Sequence, residues 1–374
     1  MKIAFVSDVV YPWVLGGVES TEYQEMKELA KINEVHVFCM RFGNMGREFV
    51  KDGIHYHANP KADENSFYKN GKRSAKEAAR FSMALKGMFK YKFDVVQANM
   101  FPVMHIPVVK LYCRLNKAKL ILDVAEVWDK GYWKNYMGNI KGELAYRYNV
   151  KGIISADFYI ANSTITEKEL LKLGIDKRRI EVFSPFLDKG LLGSIKAATK
   201  HKTVIVSGRL IMEKRIDSFI RIMKQVIDKV PNAKGIIIGN GPEKESLESM
   251  IKSYGIEKSV IIRKPYKEKR SLYGAIRSAS LMLQMSGREG LSAITIESIA
   301  LGTPVILPSY TPIPEEVKEM CNVMDEKEIP DFIIGMFKKE SVKAKIRNTG
   351  NLERYYTSGI MKRYAGIFKN VELR

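Results

Sequence analysis

Residues 288–306, REGLSAITIESIALGTPVI, are the stretch that most clearly indicates the fold of this chain. The run follows a predicted turn at 286–288 and continues as a predicted helix. We expect the helix to stop at Gly302 and Pro304, because glycine and proline are poorly tolerated inside helices. The apolar run VILPS comes next and predicts a buried strand. The segment is therefore typical of an α/β domain.

Two glutamates in this run indicate a ligand site. Glu289 and Glu297 are eight positions apart, so their carboxylates are predicted near one helix face, about 12 Å apart along the axis. That separation suits a pair that binds two parts of one long polar ligand. The helix start at Gly290 to Ser292 offers free N–H groups and a positive dipole end, which favour phosphate. The combination predicts a sugar nucleotide, although an amphipathic helix with two solvated glutamates has the same pattern.

Short β-rich runs alternate with helical stretches along the whole chain. Their apolar character is mostly continuous, which indicates parallel sheets covered on both faces. We predict an α/β fold of two Rossmann-like, doubly wound domains that face each other across a ligand-binding cleft. The predicted strands are KIAFVSD, EVHVFCM, GIHYHAN, DVVQANM, KLILDVAE, DFYIANS and RIEVFSP, then TVIVSGR, KGIIIGN, VIIRKP, LMLQMS and PVILPS.

The predicted domain boundaries follow from this alternation. Residues 1–187 are expected to form the first domain and 200–350 the second. The segment 188–202, DKGLLGSIKAATKHK, has no strong hydrophobic period and is the predicted linker. A last helix is predicted within 351–374.

The composition describes a folded protein with a large positive charge. The chain has 374 residues, of which 45% are hydrophobic, and this length allows two full cores. Its 62 Lys and Arg against 42 Asp and Glu give a formal net charge of +20, which attracts nucleic acid, anionic membranes or phosphorylated substrates. Three widely spaced cysteines, a start without signal-peptide features and no membrane-spanning apolar run predict a cytoplasmic protein.

Two cations are predicted beside the phosphate-binding helix start. The run SGRLIMEKRIDSFI places Arg209 at the end of a strand and Lys214 near the next helix. Both are expected to stabilise a departing nucleoside diphosphate, although a basic chain also carries exposed cations without a role. The run GNGPEKE, from Gly239, has Gly-x-Gly but Lys244 in place of a third glycine, so it fails as a dinucleotide site. In the first domain, the pair Gly16-Gly17 predicts a nest for phosphate or for an acceptor.

These features together resemble the retaining glycosyltransferases of family 4, the group 1 glycosyltransferases with the GT-B fold. Their E-x7-E signature is roughly E-G-F-G-L-x-x-x-E followed by A-x-x-x-G-x-P-V. This chain departs from it in having Leu291-Ser292-Ala293 where the family has Phe-Gly-Leu. The Gly-Gly loop, a G-R-L…E-K run and a G-x-G-P turn also match, in the same order. The signature residues present are Glu289, Gly290, Leu291, Ser292, Glu297, Ala300, Gly302, Pro304 and Val305.

The resemblance implies a role for each part of the site. Glu297 would bind the ribose hydroxyls and Glu289 the donor sugar hydroxyls of a nucleotide-diphosphate sugar. Arg209, Lys214 and the backbone from Gly290 to Ser292 would bind the diphosphate, and the Gly16-Gly17 loop is assigned to the same donor. Retention would proceed by attack on the same face, assisted by the departing phosphate, and the last helix would cross back onto the first domain.

No cofactor or metal is predicted. The chain contains no Asp-x-Asp pair, and its five histidines lack metal-ligand spacing. In many relatives a His-Asp or Arg-Asp pair follows the strand that here ends in Ala125-Glu126, so a catalytic imidazole is missing. Glu126 is the group predicted to align the acceptor hydroxyl or to act as its general base, with Asp123 and Asp129 as weaker candidates. A solvated strand-end carboxylate is the alternative.

Two segments predict contact with an anionic membrane surface. Residues 69–92 hold eight basic residues and one acidic residue, with apolar positions at helical spacing. The apolar positions are Ala78, Phe81, Leu85, Met88 and Phe89. Residues 129–152 mix aromatic side chains with lysines and arginines, which suits lipid headgroups. The expected acceptor is a glycan, a polyprenyl-linked sugar or a glycolipid, although helices that simply pack on a sheet are also amphipathic.

Three other functions remain open from the sequence. A non-catalytic sugar-nucleotide-binding subunit is compatible with Ala125 in place of the histidine, and an epimerase has the same architecture. A nucleic-acid-binding protein would explain the charge, but the chain has no helix-turn-helix, zinc or RNA-recognition signature. Nucleic acid is therefore not an expected partner.

Overall fold

The chain divides into two compact units. The computed structural model describes residues 1–14, 16–69, 72–184, 186–196, 201–338 and 343–372. The first unit is Met1–Phe186 with Arg354–Arg374, and the second is Leu187–Glu353.

Ten strands lie in the part of the first unit that the structure describes. They are β1 (Lys2–Val6), β2 (Glu34–Arg41), β3 (Glu48–Lys51), β4 (Ile54–Lys61), β5 (Tyr68–Lys69), β6 (Lys72–Arg73), β7 (Val95–Asn99), β8 (Lys119–Val124), β9 (Phe158–Ala161) and β10 (Ile180–Val182). Eight of them form one sheet in the order β10-β9-β8-β7-β1-β2-β4-β3, while β5 and β6 pair separately. Every neighbouring pair in the large sheet is parallel except β3 with β4.

Strand β3 was missed because three of its four residues are exposed at the sheet edge. It forms a hairpin with β4 through Asp52 and Gly53, which have φ of +52° and +77°. A two-residue Asp-Gly turn with positive φ at both positions matches the right-handed twist of the strands that it joins. The Asp-Gly pair was therefore the available sequence signal.

Helices cover both faces of this sheet. They are α1 (Gly17–Leu29), α2 (Glu64–Phe67), α3 (Ala75–Ala84), α4 (Ile106–Asn116), α5 (Lys130–Met137), α6 (Asn139–Ile153) and α7 (Thr164–Lys172). Alternate residues of β1 point to opposite faces: Ile3 and Phe5 pack with α1, whereas Ala4 and Val6 pack with α3, α4 and α6. Burial on both faces explains why the strands are continuously apolar.

Residues 69–92 do not form the predicted surface helix. The structure has α3 followed by a 3-10 turn at Leu85–Lys90, and residues 70–71 lie outside the described residues. Of the five apolar residues predicted to face lipid, the core buries Ala78, Phe81, Leu85 and Met88, while Phe89 remains partly exposed. The membrane prediction is wrong for this apolar face, because the same side chains cannot serve both the core and a lipid surface.

The second unit contains one six-stranded parallel sheet with helices between the strands. The strands are β11 (Thr203–Ser207), β12 (Lys234–Ile238), β13 (Val260–Arg263), β14 (Leu281–Leu283), β15 (Val305–Pro308) and β16 (Asn322–Met324). Their order is β13-β12-β11-β14-β15-β16. The helices are α8 (Lys189–Ser194), α9 (Ile216–Lys229), α10 (Lys244–Ser253), α11 (Lys269–Ser278), α12 (Ala293–Ala300), α13 (Glu315–Lys318) and α14 (Ile329–Phe337). One buried cluster joins this sheet to α9, α10 and α14.

The predicted linker 188–202 is partly helical. Asp188 caps α8 by accepting a hydrogen bond from the backbone N–H of Leu191 at 2.9 Å, so the local capping signal was overlooked. Residues 197–200 lie outside the described residues.

The chain end belongs to the first unit. Helix α15 (Ile360–Glu372) packs with α1 in one buried cluster through Ile360, Tyr364 and Ile367. The Tyr364 hydroxyl donates a hydrogen bond to Oε2 of Glu25, at 2.9 Å. Within the described residues, no helix combines the length and apolar character that crossing a bilayer requires.

Three histidines stack across β2 and β4. The ring of His36 lies 4.7 Å from that of His55 and 5.1 Å from that of His57. His36 Nδ1 and His57 Nε2 are 2.8 Å apart, with the donor set by the tautomer. Burial and then the neighbouring His36 lower the pKa of His57 to about 4 from its ordinary 6.5. The fold therefore favours the neutral imidazole of His57.

We expect this cluster to destabilise the fold as the pH falls from about 6.5 towards 4. In that window the unfolded chain binds a proton at His57 that the folded protein excludes, so the free energy of unfolding decreases. Urea unfolding at about pH 7 and about pH 4.5 measures this decrease in the free energy of unfolding. In the His57→Gln variant the decrease should be smaller than in wild type by at least about 1 kcal/mol. The matched control is His201→Gln, at an exposed position. An identical pH dependence in wild type and His57→Gln would refute the assignment.

Candidate functional site

The strand order of the second unit defines a topological switch point. Strand β11 pairs with β12 on one side and with β14 on the other. The chain leads outward from β11 to β12 and β13, then returns to β14 and continues in the opposite direction. Ligands of open α/β sheets bind beyond the carboxyl ends of the strands at such a point. The loops after β11 and β14 are therefore the candidate ligand-binding loops of this unit.

The loop after β11 is held by close backbone contacts with the loop after β12. The N–H of Leu210 donates to the carbonyl of Asn240 at 2.9 Å. A Cβ at Gly239 would lie 2.1 Å from the carbonyl oxygen of Gly208, and one at Gly241 would lie 2.3 Å from that of Leu210. The Gly-x-Gly run is therefore required for backbone packing.

The two predicted cations follow β11. Arg209 is exposed, and its guanidinium has no ion-pair or side-chain hydrogen-bond partner among the residues that the structure describes. Lys214 lies in a 3-10 turn at Met212–Lys214, and its ammonium forms an ion pair with Oε1 of Glu289. The N–H of Gly287 donates to the Glu213 carbonyl at 2.9 Å, which ties the two loops together.

Glu289 is not on the helix that its spacing predicted. Helix α12 begins at Ala293, so Glu289 lies in the preceding loop and the two glutamates do not share a helix face. The spacing argument failed because the left-handed backbone of Ser292, with φ +64°, ends the loop before the helix starts. The Nε2 of Gln284 and the Oγ of Ser286 each donate to Glu289 Oε1 at 2.9 Å. Both residues were missed because an isolated Gln and Ser near a strand end carry no sequence signal.

Glu297 is on α12 and almost fully buried. Its Oε1 accepts hydrogen bonds from the Tyr273 hydroxyl at 2.7 Å and from the Lys269 ammonium at 3.2 Å. Lys269 and Tyr273 are four residues apart on α11, so they share a helix face. This i, i+4 pair was available in the sequence but was not interpreted. The contacts orient a buried carboxylate that would otherwise be costly to desolvate.

The start of α12 lies between these carboxylates. Leu291 and Ser292 are buried and Gly290 is half-buried. No described residue accepts a hydrogen bond from the backbone N–H of Ala293 or Ile294. Two such donors and a positive dipole end are suited to binding an anion.

The first unit holds the remaining predicted residues. Gly16 caps α1 in an extended conformation and is exposed, as is Gly17. The carboxylate of Glu19 approaches this helix start, since a Cβ at Gly16 would meet its Oε2. An acidic side chain therefore occupies the space that the sequence assigned to phosphate or acceptor.

Glu126 lies two residues beyond β8 and is half-buried. Its Oε2 accepts a hydrogen bond from the indole Nε1 of Trp128 at 2.8 Å. The indole also packs against Phe101 and Tyr132, with ring centroids 5.0 and 4.6 Å away. Asp129 accepts a hydrogen bond from the N–H of Tyr132 at 2.8 Å as the N-cap of α5, which explains its presence structurally.

Asp123 belongs to a cluster of buried carboxyl groups. Asn99 Nδ2 donates to Glu22 Oε1 at 3.1 Å, and Gln97 Nε2 donates to Glu25 Oε2 at 3.2 Å. Burial raises the pKa of Asp123 to about 7, and burial with the neighbouring carboxyls raises the pKa values of Glu22 and Glu25. The glutamates were missed because nothing in the sequence shows that α1 turns them towards the sheet.

Among the described residues, no group of three or more His, Cys, Asp or Glu is arranged to bind a metal ion. The three cysteines are free and buried.

Comparison with known proteins identifies the chain's relatives. Residues 15–190 match the family described as Glycosyltransferase Family 4, and residues 192–332 match Glycosyl transferases group 1. An uncharacterized glycosyltransferase of Haemophilus influenzae is 26% identical over 210 residues, which cover 54% of this chain and 58% of that protein. The N-acetyl-alpha-D-glucosaminyl L-malate synthase of Bacillus anthracis is 25% identical over 169 residues, 42% of each chain. The matches thus span about half the length of these relatives.

A solved structure shares the whole fold. The crystal structure of Anabaena HepE in complex with UDP aligns with a TM-score of 0.71 at 14% identity, covering 99% of this chain and 100% of that one. At this identity the likeness establishes the α/β fold with two Rossmann-like units. The two family matches, in order along the chain, and the shared fold show that this protein belongs to the family 4, group 1 glycosyltransferases of the GT-B fold.

Proposed function

We propose that this protein is a retaining hexosyltransferase, which moves a sugar from a nucleotide-diphosphate donor to a glycan or lipid-linked acceptor. One observation carries the proposal: Lys214, Glu289 and the start of α12 converge at the switch point of the second sheet. A cation, a carboxylate and free N–H groups are the complementary partners of a diphosphate with a sugar attached. The complex of HepE with UDP supports testing uridine nucleotides first.

Each donor contact follows from this arrangement. Arg209, Lys214 and the backbone of 290–292 hold the diphosphate, Glu289 holds the donor sugar and Glu297 holds the ribose. As the bond from C1 to phosphate breaks, negative charge develops on the departing diphosphate, where the two cations stabilise it. Neither a cofactor nor a metal ion has a role in the proposed reaction.

The acceptor hydroxyl attacks the same face of C1 that the phosphate leaves. The new C1–O bond forms as the C1–phosphate bond breaks, and the hydroxyl proton passes to the departing phosphate oxygen, so no enzyme nucleophile is needed. Glu126 aligns the acceptor hydroxyl, since its carboxylate is half-buried and held by Trp128.

A thermal-shift screen tests the function. The melting temperature of wild type is compared with those of Glu297→Ala and Arg209→Ala in the presence of UDP-, GDP- and ADP-sugars. Each sugar nucleotide is tested with and without the corresponding free nucleotide. Stabilisation by one donor class that both variants lose supports the site and names the base. Turnover is measured as hydrolysis of the donor. A protein that the donor stabilises but that does not hydrolyse it is a non-catalytic binding subunit, whereas the appearance of an epimerised donor indicates an epimerase. No stabilisation of a folded wild type contradicts the proposal.

Membrane contact at the cytoplasmic face is a further part of this proposal, and it rests on α6. Residues 129–152 form α5 and α6, separated at Gly138. Ile140 and Leu144 project into solvent with 80% and 63% exposure, and Tyr148 continues the same stripe. Arg147 and Lys151 are exposed on this side of the helix. An apolar stripe flanked by cations fits an anionic lipid surface.

We expect Ile140→Glu with Leu144→Glu to weaken binding to phosphatidylglycerol-containing vesicles at least about tenfold. Burying each aliphatic side chain contributes about 1.5–3 kcal/mol, and the added carboxylates are repelled by the lipid charge. Vesicle co-sedimentation measures the change. Leu171→Glu on α7 is the matched control, because Leu171 is an exposed leucine of the same unit. If the double variant binds the vesicles as tightly as wild type does, α6 is not part of the proposed membrane surface.

A further inference from the structure

We propose that Gln284 is the positioning residue that fixes Glu289 for the donor sugar, and that Ser292 holds Gln284 in place. This inference rests on the proposed function and adds Gln284, which lies outside the family signature, and a role for Ser292. It concerns the sugar half of the donor, whereas the cations concern the diphosphate half.

Gln284 is buried and forms two hydrogen bonds through its amide nitrogen. Gln284 directly follows β14 and is 4% exposed, so its amide must find partners inside the protein. Its Nε2 donates to Glu289 Oε1 at 2.9 Å and also to the hydroxyl of Ser292. The two amide hydrogens are therefore both used.

The two carboxylate oxygens of Glu289 have different surroundings. Oε1 accepts hydrogen bonds from Gln284, from the Ser286 hydroxyl at 2.9 Å and from Lys214. No residue that the structure describes donates to Oε2. Three donors on one oxygen fix the plane of the carboxylate and leave the other oxygen as the acceptor for sugar hydroxyls. Such preorganisation is what a binding carboxylate needs, because it avoids reorganisation when the ligand arrives.

Ser292 has a strained backbone conformation. It has φ +64° and ψ +71°, a left-handed conformation that costs a residue with a Cβ about 1–2 kcal/mol, and it stands where the family pattern has glycine. The buried hydroxyl bonds both Gln284 and the hydroxyl of Thr295, at 2.8 Å from the latter. A glycine would relieve the strain but would leave one amide hydrogen of Gln284 without a partner. The strained serine therefore orients Gln284 through its hydroxyl group.

Calorimetric titration tests the inference by comparing each free nucleotide with its sugar conjugate. The probes are UDP with UDP-glucose and UDP-N-acetylglucosamine, GDP with GDP-mannose, and ADP with ADP-glucose. For Gln284→Leu we expect the Kd of the free nucleotide to stay within about twofold of wild type. The Kd of the sugar conjugate, relative to that of the free nucleotide, should rise about tenfold or more, because a hydrogen bond to a charged group is lost. Ser292→Gly should give a smaller rise in the same ratio.

A matched control and a conservative variant separate positioning from folding. Gln225→Leu makes the same change at an exposed position of α9 and should leave the ratio unchanged. Gln284→Glu places a second carboxylate against Glu289 and should raise the ratio at least as much as Gln284→Leu, with the excess decreasing as the pH is lowered.

The possible outcomes distinguish a failure of this inference from a failure of the proposed function. An unchanged ratio in Gln284→Leu overturns this inference and leaves the proposed function standing. Equal loss of free nucleotide and conjugate makes Gln284 a structural residue of the whole site and also overturns it. A folded wild type that binds none of the nucleotides contradicts the proposed function itself, and the inference with it.

Discussion

Replacing Glu297 with glutamine should lower kcat/KM for the donor about 100-fold. The Glu297 carboxylate is almost fully buried and held by Lys269 and Tyr273. In the proposed complex it would bind the ribose hydroxyls in this fixed orientation. Hydrogen bonds to a charged group contribute about 1.5–3 kcal/mol each, and about 1.4 kcal/mol corresponds to a tenfold change. Steady-state kinetics with the donor found by the screen measures the loss.

The control for this variant is Glu257→Gln, at an exposed position of the same unit. Urea unfolding should accompany the kinetics, because glutamine also leaves Lys269 without its ion pair. A folded Glu297→Gln protein with unchanged kcat/KM would show that the buried carboxylate does not bind the donor.

Replacing Lys214 with methionine should lower kcat by about 100- to 1,000-fold. Removing one preorganised donor from a developing negative charge has an effect of this size in other enzymes. Methionine keeps much of the aliphatic stem that lies over Gly208, so the loop should retain its packing. The variant also leaves Glu289 without its cation. Single-turnover measurements separate the chemical step from donor binding.

Lys224→Met is the matched control, since Lys224 is partly exposed on α9 and its ion pair with Asp228 lies along that helix. Such surface pairs contribute little. If Lys214→Met reduces donor affinity but leaves the single-turnover rate intact, Lys214 binds the diphosphate without stabilising the transition state.

Much of the fold was predictable from local pattern. All twelve predicted strands are present, because a buried strand must be apolar along its length whatever the tertiary context. The strands that were missed, β3 and β16 among them, are short and lie at sheet edges or carry exposed residues. The prediction that the apolar face within 69–92 contacts lipid was wrong for a different reason. An amphipathic helix has the same sequence pattern whether its apolar face packs on a protein core or on lipid.

The residues of the candidate site were proposed from the sequence, but their geometry was not. Glu289, Glu297, Arg209 and Lys214 were proposed because charged residues at strand ends and helix starts stand out in a sequence. Gln284 was not found, because a neutral amide gains a role only from the atoms that surround it. Its partners Glu289 and Ser292 come from a loop five to eight positions further along the chain.

The sequence by itself determined the α/β class, the parallel sheets, the positive charge and the types of residue in the site. These properties depend on which side chains are apolar, charged or flexible within a short window. Only the tertiary structure decided that Glu289 lies off the helix, that α3 serves the core and that Lys269 and Tyr273 hold Glu297. These properties depend on contacts between distant segments, where burial and hydrogen bonding are set by the partner across the fold rather than by the next residue along the chain.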